Sequence, residues 1–142
     1  MKELKTEIIL NASPQKVWEV LTNFEQYSSW NPFITSIEGK PQAGTYLTNT
    51  MLNKGKPMVF KPLITRLEEN KYFEWLGAAA GGLFKGRHYF MLEDLGNEQT
   101  KLIHGEQFTG LLANLILRMI AEETLQNFQK MNKALKHRVE QR

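Results

Sequence analysis

LLANLILRMIAEETLQNFQKMNKALKHRV, residues 111–139, follows Gly110 and runs 29 residues without proline or glycine. At 1.5 Å per residue it predicts a helix of ~43 Å, and no other stretch of the chain predicts a long one. Leu117, Ile120, Thr124, Phe128, Met131, Leu135 and Val139 recur every three or four positions and mark one buried stripe. Leu112, Leu115, Ile116 and Met119 add a second apolar face to the first three turns, whereas Glu122, Gln126, Gln129, Lys133 and Lys136 keep the later turns amphipathic. The first half of the helix therefore needs two apolar surroundings: a deep core on both sides, or a core on one and a cavity or partner on the other.

Moving outward from the helix, the preceding chain is divided by turn residues: Gly39, Pro41, Gly44, 53-NKGKP-57, Glu69-Asn70 and Gly81-Gly82. The segments between them predict strands over 33–38, 45–52, 58–67, 72–77, 83–93 and 100–108. Before these, Glu3–Leu10 alternates as a strand. Ser13-Pro14 then starts a short helix, Ser13 as cap and Pro14 at the first helical position, where its missing N–H is no loss. Val17, Val20, Leu21 and Phe24 form its buried stripe. A second short turn through Phe24–Trp30 must stop before Pro32. The order is strand, two short helices, six strands, one long helix. This predicts a single α+β domain over 1–142, with a curved, seven-stranded antiparallel sheet covered by the last helix.

Composition removes several function classes. There is no cysteine, hence no disulfide or thiolate chemistry, and a reducing cytoplasm is the expected compartment. Met1–Leu10 lacks the apolar run of a secretory signal and reads as mature chain. The longest apolar run, 111–121, falls short of the ~20 residues that cross a bilayer. The net charge of +3 is concentrated in Lys130, Lys133, Lys136, Arg138 and Arg142, where cations complement a helix C-terminus. No basic stripe interleaves with aromatics, so nucleic acid is not an expected partner.

Phasing the strands by alternation sets Phe84, Gly86, His88, Phe90 and Leu92 on one face, and Thr100, Leu102, His104, Glu106 and Phe108 on another. Trp75 shares the concave side. Three ionisable groups, His88, His104 and Glu106, thus point into an aromatic wall. A buried carboxylate needs a partner or a polar cavity, so the three form either a structural pair that satisfies itself or the polar end of a ligand site. No spaced ligand motif points to a metal, and no phosphate loop or cofactor fingerprint is present. Trp30 plugs the end where the short helices meet the sheet, or touches ligand there. Met119 is a pocket candidate by position.

The motifs 13-SPxxVW-18, 27-YxxWNPF-33, 75-WxG-77, 84-FxGxHxF-90 and 104-HxExFxG-110, in this order before a long helix, resemble the START-like (SRPBCC) superfamily and its small polyketide cyclase/dehydrase-like members. The resemblance spans nearly the whole chain. It implies a helix-grip fold, in which the sheet and the C-terminal helix enclose a cavity for lipids, polyketides or similar molecules.

The leading expectation is binding of a small hydrophobic ligand by Trp30, Phe60, Trp75, Phe84, His88, Phe90, His104, Glu106, Phe108, Leu112, Ile116 and Met119, without cofactor or metal. One alternative is a cyclase or dehydratase with Glu106 or His104 as general acid or base. A second is a co-chaperone-like interaction module. In that case the apolar face of 111–119 meets a partner, and a homodimer is compatible with the same face.

Overall fold

The computed structural model describes residues 2–141; Met1 and Arg142, the two ends of the expected domain, lie outside the described residues. β1 (Lys2–Leu10) leads into α1 (Pro14–Thr22) and a 3-10 helix (Phe24–Ser29). Strands β2 (Ile34–Glu38), β3 (Thr48–Asn53), β4 (Lys56–Phe60), β5 (Leu63–Glu68), β6 (Tyr72–Ala79), β7 (Phe84–Gly96) and β8 (Gln99–Thr109) follow, then α2 (Ala113–Glu140). The expected long helix and curved antiparallel sheet are both present.

Eight strands stand where the sequence predicts seven, because the segment 58–67 is divided at Lys61-Pro62. Pro62 has no N–H to continue a ladder, but its carbonyl accepts from Leu47 N at 2.8 Å. Pairing runs β1-β8-β7-β6-β5 in one sheet and β2-β3-β4 in the other. Ile64 N donates to Thr45 O (2.9 Å) and Tyr46 bridges Leu63, so the chain entering β3 stitches the two sheets together. Pro57 is tolerated because β4 is an edge strand.

Local chemistry sets the element ends. Ser13 Oγ accepts from Lys16 N at 3.2 Å and caps α1, with Pro14 at its first position. α1 buries Val17, Trp18 and Leu21, so Trp18 belongs to the buried stripe while Val20 packs at its edge. Asn31 Oδ1 accepts from Phe33 N and Ile34 N, both at 2.9 Å, and turns the chain into β2.

α2 behaves as two halves. From Phe128 onward, Phe128, Met131, Leu135 and Val139 are fully buried against the sheet and α1. Earlier, Ala113 and Leu117 pack on Phe108 with Leu4, Phe84 and Ile120 beside them. Leu111, Leu115 and Met119 remain exposed at 89%, 58% and 77%. The second apolar face predicted from sequence is thus split: Leu112 and Ile116 are half-buried, whereas Leu115 and Met119 are exposed. The β3–β4 turn reaches α2 at Glu123, which Lys54 approaches to 3.8 Å. No helix among the described residues is long and apolar enough to cross a membrane.

Candidate functional site

Cross-strand register places Leu4, Glu106, His88, Trp75 and Ile64 in one row across β1, β8, β7, β6 and β5. The next row holds Thr6, His104, Phe90 and Phe73. Residues opposite each other in a pleated sheet share a face, so the two histidines and the glutamate are brought together as their alternation predicts.

They form a continuous polar chain inside the aromatic core. Glu106 Oε1 lies 3.4 Å from His88 Nδ1, and His88 Nε2 lies 2.8 Å from His104 Nε2. His104 Nδ1 is 2.8 Å from Asn132 Oδ1 on α2. Asn132 Nδ2 donates to Thr6 Oγ1 (2.8 Å), and Thr6 Oγ1 donates to the carbonyl of His104 (2.8 Å). Phe128 stacks on His104 with ring centroids 4.2 Å apart, and Trp75 stacks on His88 at 5.0 Å. Every polar atom at the deep end thus has a partner, as burial demands. The two Nε2 atoms face each other and are not presented to an ion. Among the described residues, no group of three or more His, Asp or Glu side chains has the geometry to hold a metal.

The other end of the chain is open. His88 and His104 are 3% and 0% exposed, whereas the Glu106 side chain keeps 19% of its surface. Its room comes from a missing side chain: Gly86, one row away and opposite Phe108, lies beneath the carboxylate, and a Cβ there would overlap Oε2. Gly86 in turn pairs with Gly77. Two adjacent strands thus present bare backbone at the same level of the concave face, with the Glu106 carboxylate lying over Gly86. Phe60 comes within 4.0 Å of the point where a Gly77 side chain would begin. Phe84 and Phe108 stack beside this glycine patch at 5.4 Å. Asn49, the cross-strand neighbour of Phe60, is fully buried with neither amide atom hydrogen-bonded.

The predicted residues therefore divide by depth. Glu106, Phe60, Phe84 and Phe108 lie around the Gly77–Gly86 patch; His88, Trp75 and Phe90 stand behind Glu106; His104 lies deeper, its two ring nitrogens engaged. Trp30 is half-buried against Tyr27 with its Nε1 unpaired. Leu112 and Ile116 are half-buried at the start of α2, and Met119 points to solvent. Sequence reasoning missed Asn132 and Gly77. The signal for Asn132 was available, since it is the one polar residue in the stripe between Phe128 and Leu135. A groove of about 720 Å³ lies elsewhere, beside Ser13, Arg66, Asn70, Tyr72, Met91 and Asp94.

On the outer face, Glu74 is buried and accepts from Thr65 Oγ1, Tyr72 OH and Arg87 Nη1, each at 2.7 Å. Burial opposes its charge, but these three bonds and the Arg87 charge together hold the carboxyl below the usual carboxylate range. For His104, burial first and the neighbouring His88 second hold the imidazole well below its usual range, against the Asn132 hydrogen bond. Both shifts have the same sign for stability, because the unfolded chain binds the proton that the folded one refuses. The stability from His104 is present above about pH 6.5 and is lost as pH falls below it; that from Glu74 is lost lower, below the unfolded carboxylate value near 4. Urea unfolding is expected to give a free energy roughly 2 kcal/mol lower at about pH 5 than above pH 7. A flat profile between these values contradicts a neutral, buried His104.

The family described as "Polyketide cyclase / dehydrase and lipid transport" matches residues 1–140. No curated protein matches the chain by sequence. Solved structures share the fold at low identity. A START superfamily protein from Mycobacterium smegmatis is 23% identical, with a TM-score of 0.74 and 97% of each chain covered. The Zhui aromatase/cyclase from a Streptomyces species is 14% identical with a TM-score of 0.80, covering 98% of this chain and 93% of that one. TTHA0849 from Thermus thermophilus is 17% identical with a TM-score of 0.75 and 97% of each chain covered. At these identities the likeness speaks for the helix-grip fold alone.

Proposed function

Since the chain belongs to the polyketide cyclase/dehydrase and lipid transport family, we propose that it binds a small hydrophobic molecule in the hollow above Gly77 and Gly86, beneath the first turns of α2. The observation that carries this reading is the bare-backbone patch itself, bordered by Phe60, Phe84 and Phe108 and overlooked by the one partly exposed carboxylate of the interior. An apolar wall with few convergent polar groups is the usual make-up of a small-molecule site. The unpaired amide of Asn49 supports it, since a fully buried amide that lacks protein partners gains from one on a ligand.

Native mass spectrometry of protein recovered from a cell extract tests the reading. The expected result is a bound organic molecule that solvent extraction removes. Finding none, together with no uptake of the fluorescent dye anilinonaphthalene sulfonate, sinks it.

The wall contributed by α2 can be probed separately. Ile116→Phe is expected to weaken dye uptake by about tenfold or more while leaving thermal unfolding nearly unchanged. If it instead lowers stability by about 1–3 kcal/mol and leaves uptake alone, Ile116 belongs to an ordinary packed core.

An acid–base enzyme is the second reading, favoured by the approach of Glu106 to His88. On a substrate found by the extract search, Glu106→Gln should then retain binding and lose turnover by about a hundredfold or more. Full turnover in this variant leaves binding as the function.

A further inference from the structure

Hydrogen-bond bookkeeping along the buried chain fixes where its protons sit. The carbonyl of His104 can only accept, so the single proton of Thr6 Oγ1 points at it. Thr6 Oγ1 must then accept from Asn132, which turns the amide nitrogen toward Thr6 and Oδ1 toward His104. His104 Nδ1 therefore carries hydrogen. A ring with no exposed surface, stacked on Phe128 and 4.5 Å from Phe90, is neutral, so its Nε2 is a lone pair and accepts from His88 Nε2–H. At the open end, His88 Nδ1 faces Glu106 Oε1 at 3.4 Å. The rings packed on His88 are Trp75, Phe90, Phe128 and His104, and the titratable groups bonded to or facing it are His104 and Glu106.

We propose that Thr6, Asn132 and His104 are positioning residues that lock His88 with its proton on Nε2, and that the ligand is a hydrophobic alcohol or phenol whose hydroxyl donates to Glu106 Oε2. The second half of this statement rests on the binding reading above. With Oε1 turned toward His88, Oε2 is the carboxylate oxygen left to accept from a ligand. It has no protein hydrogen bond of its own among the described residues and stands over the bare backbone of Gly86. A hydrocarbon or an ester of the same shape leaves that acceptor dry and unpaired, which is the kind of loss that separates a hydroxyl-bearing ligand from its analogue.

Nitrogen NMR of the imidazole rings in the ligand-free protein tests the lock. Near neutral pH, His104 is expected as the Nδ1–H form and His88 with Nε2 protonated. His88 found as the neutral Nδ1–H form, or His104 as Nε2–H, overturns it. Thr6→Val should scramble the His104 tautomer and Thr6→Ser restore it; unchanged spectra in Thr6→Val overturn the positioning role. For the ligand class, naphthol and its methyl ether are the probes. Naphthol is expected to bind the wild-type protein about tenfold more tightly, with the preference lost in Glu106→Gln. Equal affinities overturn the hydroxyl preference. Failure of both probes to bind counts against the hollow itself, while the ligand-free spectra still decide the tautomer lock.

Discussion

Replacing Phe128 with alanine is expected to lower the unfolding free energy by about 3–5 kcal/mol, among the largest losses any single truncation in this chain should give. Its ring is fully buried at the crossing of α2 and the sheet. It stacks on His104 at 4.2 Å, meets His88 edge-on at 5.0 Å and lies 6.0 Å from Phe33. Two separate terms add. The transfer of an aromatic side chain from water is lost, and a cavity opens whose walls are Phe33 and two imidazoles held by their own hydrogen bonds, which resist collapse. A domain of this size has only about 5–15 kcal/mol in total, so the variant should unfold at a visibly lower denaturant concentration. Phe128→Leu, which refills most of the volume, should lose much less. Urea titration of the three proteins reads this directly. A loss below about 1 kcal/mol for the alanine variant would mean that Phe128 is not the packing plate for the histidine pair.

The contrast between what is readable in the chain and what is not follows the range of each interaction. The phase of β7 and β8 was legible because alternation is local: once Phe84 and Phe90 face inward, His88 must too. The long helix and its stripe were legible for the same reason, and so was the extra apolar surface of its first turns, although Met119, expected to line a pocket, points to solvent instead. The bare-backbone patch was not. It depends on Gly77 and Gly86 meeting across β6 and β7, a register that neither glycine sets by itself. Asn132 was passed over because one polar residue in an apolar stripe acquires meaning only when Thr6, from the other end of the chain, arrives opposite it. Glu74 is a sharper case. Alternation puts it on the outer face, where a carboxylate is normally solvated, yet Thr65, Tyr72 and Arg87 from three strands close over it. Convergence of that kind is a property of pairing, and pairing is non-local.

Gly110→Ala should be the most damaging of the glycine substitutions, with an expected loss of about 3 kcal/mol or more. This residue joins β8 to α2 at φ +107°, a conformation that L side chains rarely adopt. A Cβ there would also overlap the carbonyl oxygen of Leu83, with that carbonyl's carbon at 2.6 Å and Phe84 N at 3.1 Å. The obstacle is backbone, so no rotamer change relieves it. Relief requires moving the β6–β7 connection, which Leu112 N holds by its 3.0 Å bond to Leu83 O, or moving the start of α2, where Ala113 N donates to Gly110 O. Either shift displaces Leu112, Ile116 and Leu117 relative to Phe84 and Phe108, so dye uptake should fall along with stability. Gly55→Ala is the matched control: its φ is also positive at +76°, but nothing lies within 4 Å of the added carbon. The control isolates backbone strain at about 1 kcal/mol, and the excess in Gly110→Ala measures the close approach of the two chain segments. Chemical unfolding of both variants gives the comparison. If the two losses agree within about 0.5 kcal/mol, the junction is slack, and the first turns of α2 are not held in place over Phe84 and Phe108 by Gly110.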